Sequence, residues 1–114
     1  MRAVFVVLSE PFSQEEEDRY NDWYDHTHVP ALLRLDGFVR ASRWRIPEWL
    51  PVSQALGERR YLALYELETD DLSGALEQMR QARADGRLGN SLGVLSSEAS
   101  PITAVFEFLS SHER

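Results

Sequence analysis

Four polar side chains stand at helical spacing in the first third of the sequence: Glu17, Asn21, Tyr24 and His28. At 100° per residue they fall in one narrow sector of a helix. Tyr20, Thr27 and Ala31 flank that sector on one side, Leu32 on the other, with Trp23 further round, while Asp18, Asp22, Asp25 and His26 take the opposite, solvent side. So aromatic a face packs on a core, and a carboxylate, an amide, a phenol and an imidazole buried there each need a partner. The row therefore predicts a cavity between helix and sheet. In it His28 would pass protons near neutral pH, Tyr24 would donate to a developing oxyanion, and Asn21 or Glu17 would orient the imidazole.

A structural role for the same residues stays open. Pro30 frees a backbone carbonyl one turn upstream, and an imidazole nearby can satisfy such a group. Glu17 also suits the positive end of the helix, and Tyr20, Trp23 and Tyr24 are ordinary core formers. Asn21 is the more suggestive member, since mid-helix Asn has poor propensity. His26 near a helix C-terminus is favourable on charge alone. Residues two apart on a helix point roughly 200° apart, so His26 and His28 cannot share a metal, and none is expected.

Other candidate binding residues lie further along. Tyr61 and Tyr65 share a strand face with Ala63, whose small side chain leaves room for a ligand. Trp44 sits among Arg40, Arg43 and Arg45, a run that reads better as a solvated strand edge than as an anion site. Trp49 occupies a long loop, as a lid residue or as packing between subunits. With Glu17 and Trp23, these complete the candidate substrate-binding set.

Composition narrows the chemistry. The 114 residues contain no Cys, and all 12 basic residues are Arg. Thiolate nucleophiles, Cys-ligated zinc, Schiff-base lysines and phosphate-loop lysines are thereby excluded. A formal net charge of −7 disfavours nucleic acid and anionic membrane as partners. The longest apolar run, Ala3–Leu8, is far too short to span a bilayer. No signal peptide is visible, so the expected address is cytoplasmic.

The elements that must position these residues follow from periodicity. Arg2–Ser9 reads as a strand buried on both faces. Ser13 with Glu16 forms a capping box that opens the first helix, which either stops near His28 or bends at Pro30 and continues to Leu35. Phe38–Ile46, Arg59–Glu68 and Ile102–Leu109 read as strands. A second helix starts at Thr69–Asp71, carries Leu72, Ala75, Leu76 and Met79 on one stripe, and stops at Gly86. The order β-α-β-β-α-β predicts one α+β domain over residues 1–114, ferredoxin-like, with a four-stranded antiparallel sheet. Pro47–Glu58 and Arg87–Pro101 are longer than this fold requires and suit lids or mobile segments. Two helices cover one sheet face only, and the first and last strands are apolar on both, so a homodimer is expected.

Asn21-x-Trp23-Tyr24-x-x-x-His28-x-Pro30, with Gly37-Phe38 and Arg43-x-Arg45, resembles the EthD-like branch of the dimeric α+β barrel superfamily. The resemblance implies a dimeric α+β barrel whose sheets face each other, and small-molecule chemistry without an organic cofactor. Its range includes isomerases, cyclases, quinone-forming monooxygenases and haem-degrading enzymes; the last draw an Asn, a Trp and a His from separate elements, which this chain does not match. The reading is a cofactor-independent isomerase, cyclase or lyase acting on a hydrophobic carbonyl, lactone or polyphenol, with His28, Tyr24 and Asn21 catalytic. Alternatives are a cofactorless monooxygenase of aromatic substrates and a non-catalytic dimeric binder of aromatic metabolites.

Overall fold

The computed structural model describes residues 1–91, 93–96 and 98–114. Four strands, β1 (Arg2–Ser9), β2 (Phe38–Arg45), β3 (Tyr61–Glu68) and β4 (Ile102–Glu107), form one antiparallel sheet in the order β2-β3-β1-β4. This is the ferredoxin-like α+β arrangement that the element order implies. Register places Ala3, Phe5, Val7 and Ser9 beside Tyr61, Ala63, Tyr65 and Leu67 on the helix-covered face. A bulge at Val39 then brings Ala41, Arg43 and Arg45 onto the same face.

β1 is buried on that face alone. Val4, Val6 and Leu8 stay half-exposed on the other, beside Leu62 and Leu64 of β3 and Ile102, Ala104 and Phe106 of β4. The expected burial of β1 on both faces is therefore not met within one protomer, because no chain covers the second face.

The first helical segment departs from a plain α-helix. Ser13 starts a 3₁₀ turn, Gln14–Glu16, through its backbone, and its side chain makes no capping bond, so the expected capping box is absent. Next come α1 (Glu17–Trp23), a π turn (Tyr24–His28) and α2 (Val29–Leu33). Pro30 cannot donate a backbone bond, and just before it the Val29 N–H reaches back five residues to the Tyr24 carbonyl. The chain thus bends at Pro30 and continues.

The other helix, α3 (Leu72–Ala84), is capped by Asp71, whose Oδ1 accepts from the Gly74 N–H at 2.9 Å. It buries Ala75, Met79 and Ala82. It ends in a Schellman turn: Arg87 N–H bonds to Ala82 O at 2.9 Å and Gly86, at φ +84°, bonds to Arg83 O. That turn sends Leu88 into the core. The segment that follows is pinned: Phe12 N–H donates to Val94 O and Ser96 N–H to Glu10 O. Its described residues are therefore tied to the end of β1, with Val94 buried. Among the described residues no helix is long and apolar enough to cross a membrane.

Candidate functional site

The π turn decides where the polar row goes. With its i→i+5 bond the π turn stacks His28 on Trp23 and leaves it edge-on to Tyr24, with those two centroids 5.4 Å apart. The imidazole stacks on the indole with centroids 4.5 Å apart and planes at 17°. Its Nδ1 lies 2.8 Å from the Leu88 carbonyl oxygen. A carbonyl only accepts, so Nδ1 carries the proton and Nε2 presents a lone pair. Burial is the main cause that lowers the His28 pKa and favours the neutral ring, assisted by the Arg83 charge; the Leu88 bond opposes them by favouring the protonated ring. Gly89, at φ +89°, closes this corner: a Cβ there would meet Thr27 Cγ2 at 2.8 Å and Trp23 Nε1 at 3.1 Å. Trp23 Nε1 is buried without a hydrogen-bond partner.

Tyr20 and Tyr24 fill the space directly between helix and sheet. Both are buried, with centroids 5.0 Å apart, and Ser9 Oγ bonds to the Tyr20 hydroxyl at 2.5 Å and the Tyr24 hydroxyl at 3.3 Å. Tyr65 is also fully buried, and its hydroxyl has no partner. Burial, above all, drives the Tyr20, Tyr24 and Tyr65 phenols upward. The cavity expected around Ala63 is thus occupied by tyrosine rings, and Tyr24 and Tyr65 serve as core.

The open cavity lies past the N-terminal end of α1. It holds about 780 Å³ and is walled by Pro11, Phe12 and Val52 and by charged groups including Glu10, Glu17 and Arg45. That volume suits a small molecule. On its inner wall the Tyr61 hydroxyl donates to Glu17 Oε1, and the Arg45 guanidinium stands 3.6 Å from the same carboxylate. Burial and the Glu17 carboxylate raise the Tyr61 pKa, while donors on Asn21 and Arg45 oppose them. Burial likewise pushes the Glu10 carboxyl up, with the Glu58 and Glu17 charges adding to it and the Arg60 backbone N–H opposing.

Between these two regions lies Arg43. It donates through Nη2 to Asn21 Oδ1 at 2.8 Å and through Nη1 to Asp25 Oδ1 at 3.0 Å. Its guanidinium also sits 4.7 Å from the Tyr24 ring centre. With its side chain only 16% exposed, Arg43 is not solvated although β2 is an edge strand, so the sequence reading is corrected for Arg43; Arg45, 51% exposed, keeps it. The signal was strand parity: both share a face with Tyr61 and Tyr65, hence with the helix.

The two tryptophans lie elsewhere. Trp44 projects from the uncovered sheet face, 61% exposed, its Nε1 donating to Ser42. Trp49 is 80% exposed in the loop whose Glu48 and Val52 line the cavity. His26 is exposed beside Asp22. Among the described residues no three histidine or carboxylate side chains converge closely enough to hold a metal ion.

No protein-family model and no curated protein sequence matches this chain. Solved structures do. An ethyl tert-butyl ether D (EthD) family protein from Bacillus halodurans superposes with a TM-score of 0.61 at 16% identity, over 96% of this chain and 100% of that one. A dimeric ferredoxin-like protein of unknown function from Jannaschia gives 0.60 at 16% identity, over 95% and 100%. SnoaB, a cofactor-independent oxygenase from Streptomyces nogalater, gives 0.61 at 14% identity, over 96% and 95%. At these identities the likeness shows the fold alone: ferredoxin-like.

Proposed function

We propose that this protein is a homodimeric, cofactor-independent enzyme that moves a proton on a small carbonyl, lactone or polyphenolic molecule seated in the cavity past α1. One observation carries the reading: on the cavity wall a phenol, Tyr61, donates to a carboxylate, Glu17, with a guanidinium beside them. Such a set supplies both halves of an enolisation. Glu17 takes the proton from the carbon next to the carbonyl, and Tyr61 and Arg45 stabilise the oxyanion that forms. Returning the proton to a different atom is an isomerisation; closing a ring on the enolate is a cyclisation. Pro11, Phe12 and Val52 provide apolar contact, and the carboxylates around them favour a substrate with polar groups as well.

The homodimer rests on the uncovered sheet face. A row from Trp44 through Leu62, Leu8 and Ile102 leaves an apolar surface across all four strands, which a second copy covers economically. Two of the similar structures belong to proteins described as dimeric, and another to one described as a cofactor-independent oxygenase.

The test needs no known substrate. Aryl ketones and unsaturated lactones are incubated with the protein in D₂O, and deuterium uptake at the carbon next to the carbonyl is followed by NMR. The expected result is acceleration by wild type and its loss in Glu17→Gln and Tyr61→Phe. No acceleration for any compound overturns the reading. A second reading places the base at His28, because its bond to Leu88 leaves Nε2 as a lone pair. Loss of exchange in His28→Gln, with Glu17→Gln unaffected, selects it. Oxygen consumption with a polyphenol, without flavin or metal, would instead identify the monooxygenase alternative.

A further inference from the structure

Four aromatic side chains run from one end of the helical layer to the other in unbroken ring contact. Trp23 meets Tyr24 with centroids 5.0 Å apart, Tyr24 meets Tyr20 at 5.0 Å, and Tyr20 meets Tyr61 at 4.8 Å. All four rings are of the easily oxidised kinds, and rings in contact couple well enough for an electron to pass between them. Tyr65, the remaining tyrosine, packs instead against Phe5 and Phe38, which resist oxidation. Packing alone asks for rings and not for hydroxyls, because a buried hydroxyl must find a partner. Ser9 has to supply one for both Tyr20 and Tyr24, a demand that phenylalanine would not make.

Where a missing electron comes to rest along such a row is decided by the proton. An oxidised indole or phenol is a strong acid, and a neighbouring base that takes its proton stabilises the radical. The Trp23 Nε1–H is buried with no partner. The Tyr20 and Tyr24 hydroxyls face only a serine hydroxyl, a poor base. Of the four, Tyr61 alone donates to a carboxylate, that of Glu17. The Arg43 guanidinium adds to the bias, lying 4.7 Å from the Tyr24 ring and 5.6 Å from the Tyr20 ring, where it disfavours a second positive charge. It is 5.8 Å from Tyr61 as well, but there the proton can leave and the radical is neutral.

We propose that these residues form an electron relay ending at the cavity: an organic peroxyl radical that oxidises Trp23 draws an electron through Tyr24 and Tyr20 from Tyr61, whose proton passes to Glu17, and a polyphenol in the cavity refills the Tyr61 radical. Half-buried Trp23 is the entry, and Tyr61 lines the cavity where the reductant sits. Electrons and protons balance. The peroxyl radical gains one electron, takes a proton from water and leaves as a hydroperoxide. The polyphenol gives an O–H hydrogen atom to the Tyr61 oxygen and leaves as a phenoxyl radical, and Glu17 returns its proton to water. This activity goes beyond proton transfer on a carbonyl compound: it uses the Tyr61–Glu17 bond but needs no enolisation.

The experiment uses the azide radical, made by pulse radiolysis, which oxidises tryptophan in preference to tyrosine. In protein carrying Trp44→Phe and Trp49→Phe, Trp23 is the one tryptophan left. Its radical absorption is expected to decay at a rate independent of protein concentration while a tyrosyl absorption rises. Tyr61→Phe is expected to abolish that rise, and Tyr65→Phe to leave it unchanged. Glu17→Gln is expected to slow it about tenfold or more, because a positioned base is lost. Added catechol is expected to clear the tyrosyl signal. A tyrosyl rise that survives Tyr61→Phe overturns the proposal, as does an unchanged rate in Glu17→Gln or a tyrosyl signal that catechol leaves standing. Near-UV circular dichroism checks that Tyr61→Phe keeps its core; if it does not, Glu17→Gln decides by itself. Deuterium exchange on carbonyl compounds is a separate readout, so loss of the relay leaves the proton-transfer reading in place.

Discussion

The helical layer has two chemically rich ends, and they are built on opposite principles. At the His28 end every group is wedged: the imidazole lies flat on Trp23, its Nδ1 is tied to Leu88, and Gly89 leaves no room for a side chain. At the Tyr61 end the groups face an open cavity, and the phenol and carboxylate are partnered chiefly with each other. One end holds the fold together through polar contacts; the other leaves reactive groups within reach of a visitor. An ionisable side chain therefore signals function by what it faces, more than by how buried it is.

This contrast breaks if substitutions at the two ends behave alike. Glu17→Gln should lower the rate of deuterium exchange by about 10²- to 10⁴-fold, as loss of a general base does. Its effect on stability should stay below about 1 kcal/mol, since the Glu17–Arg45 ion pair is partly exposed. Gly89→Ala should do the reverse. The positive φ and the 2.8 Å approach to Thr27 should cost about 2–4 kcal/mol in denaturant unfolding. His28→Ala should cost about 1–3 kcal/mol, because the Leu88 carbonyl loses its donor. The smallest effect is in pH. The His28 pKa is lowered by folding, so the unfolded chain binds a proton there more readily than the folded one. The folded state should lose stability as pH falls through the ordinary histidine range, and His28→Gln should flatten that part of a melting profile.

Much of this was legible in the sequence, for physical reasons. Strand alternation and the turn glycines fix the element order, so the ferredoxin-like sheet could be read residue by residue. The polar row on the first helix is legible as a set of residue types, and Tyr24 and His28 do meet, but the row does not form one site. A helical wheel assumes 3.6 residues per turn, and the π turn before Pro30 moves His28 away from the face shared by Glu17 and Asn21. Tyr61 was readable from strand parity, whereas its partnership with Glu17 needed the register of β2 on β3 and the angle of α1 across them. Arg43 was misjudged because a run of alternating arginines looks like an edge; the bulge at Val39 settles which of them turn inward.

The strap from Leu88 to Ser96 touches both ends at once. The Leu88 carbonyl accepts the His28 Nδ1–H bond, and eight residues later Ser96 lines the cavity while its N–H donates to the Glu10 carbonyl. A molecule resting against Ser96 and Glu10 therefore steadies one anchorage of a band whose other anchorage is the imidazole. Filling the cavity should slow hydrogen–deuterium exchange at the Phe12 and Ser96 amides first. Protection at the Leu88 end would then reveal whether the band transmits tension or merely hangs between two posts.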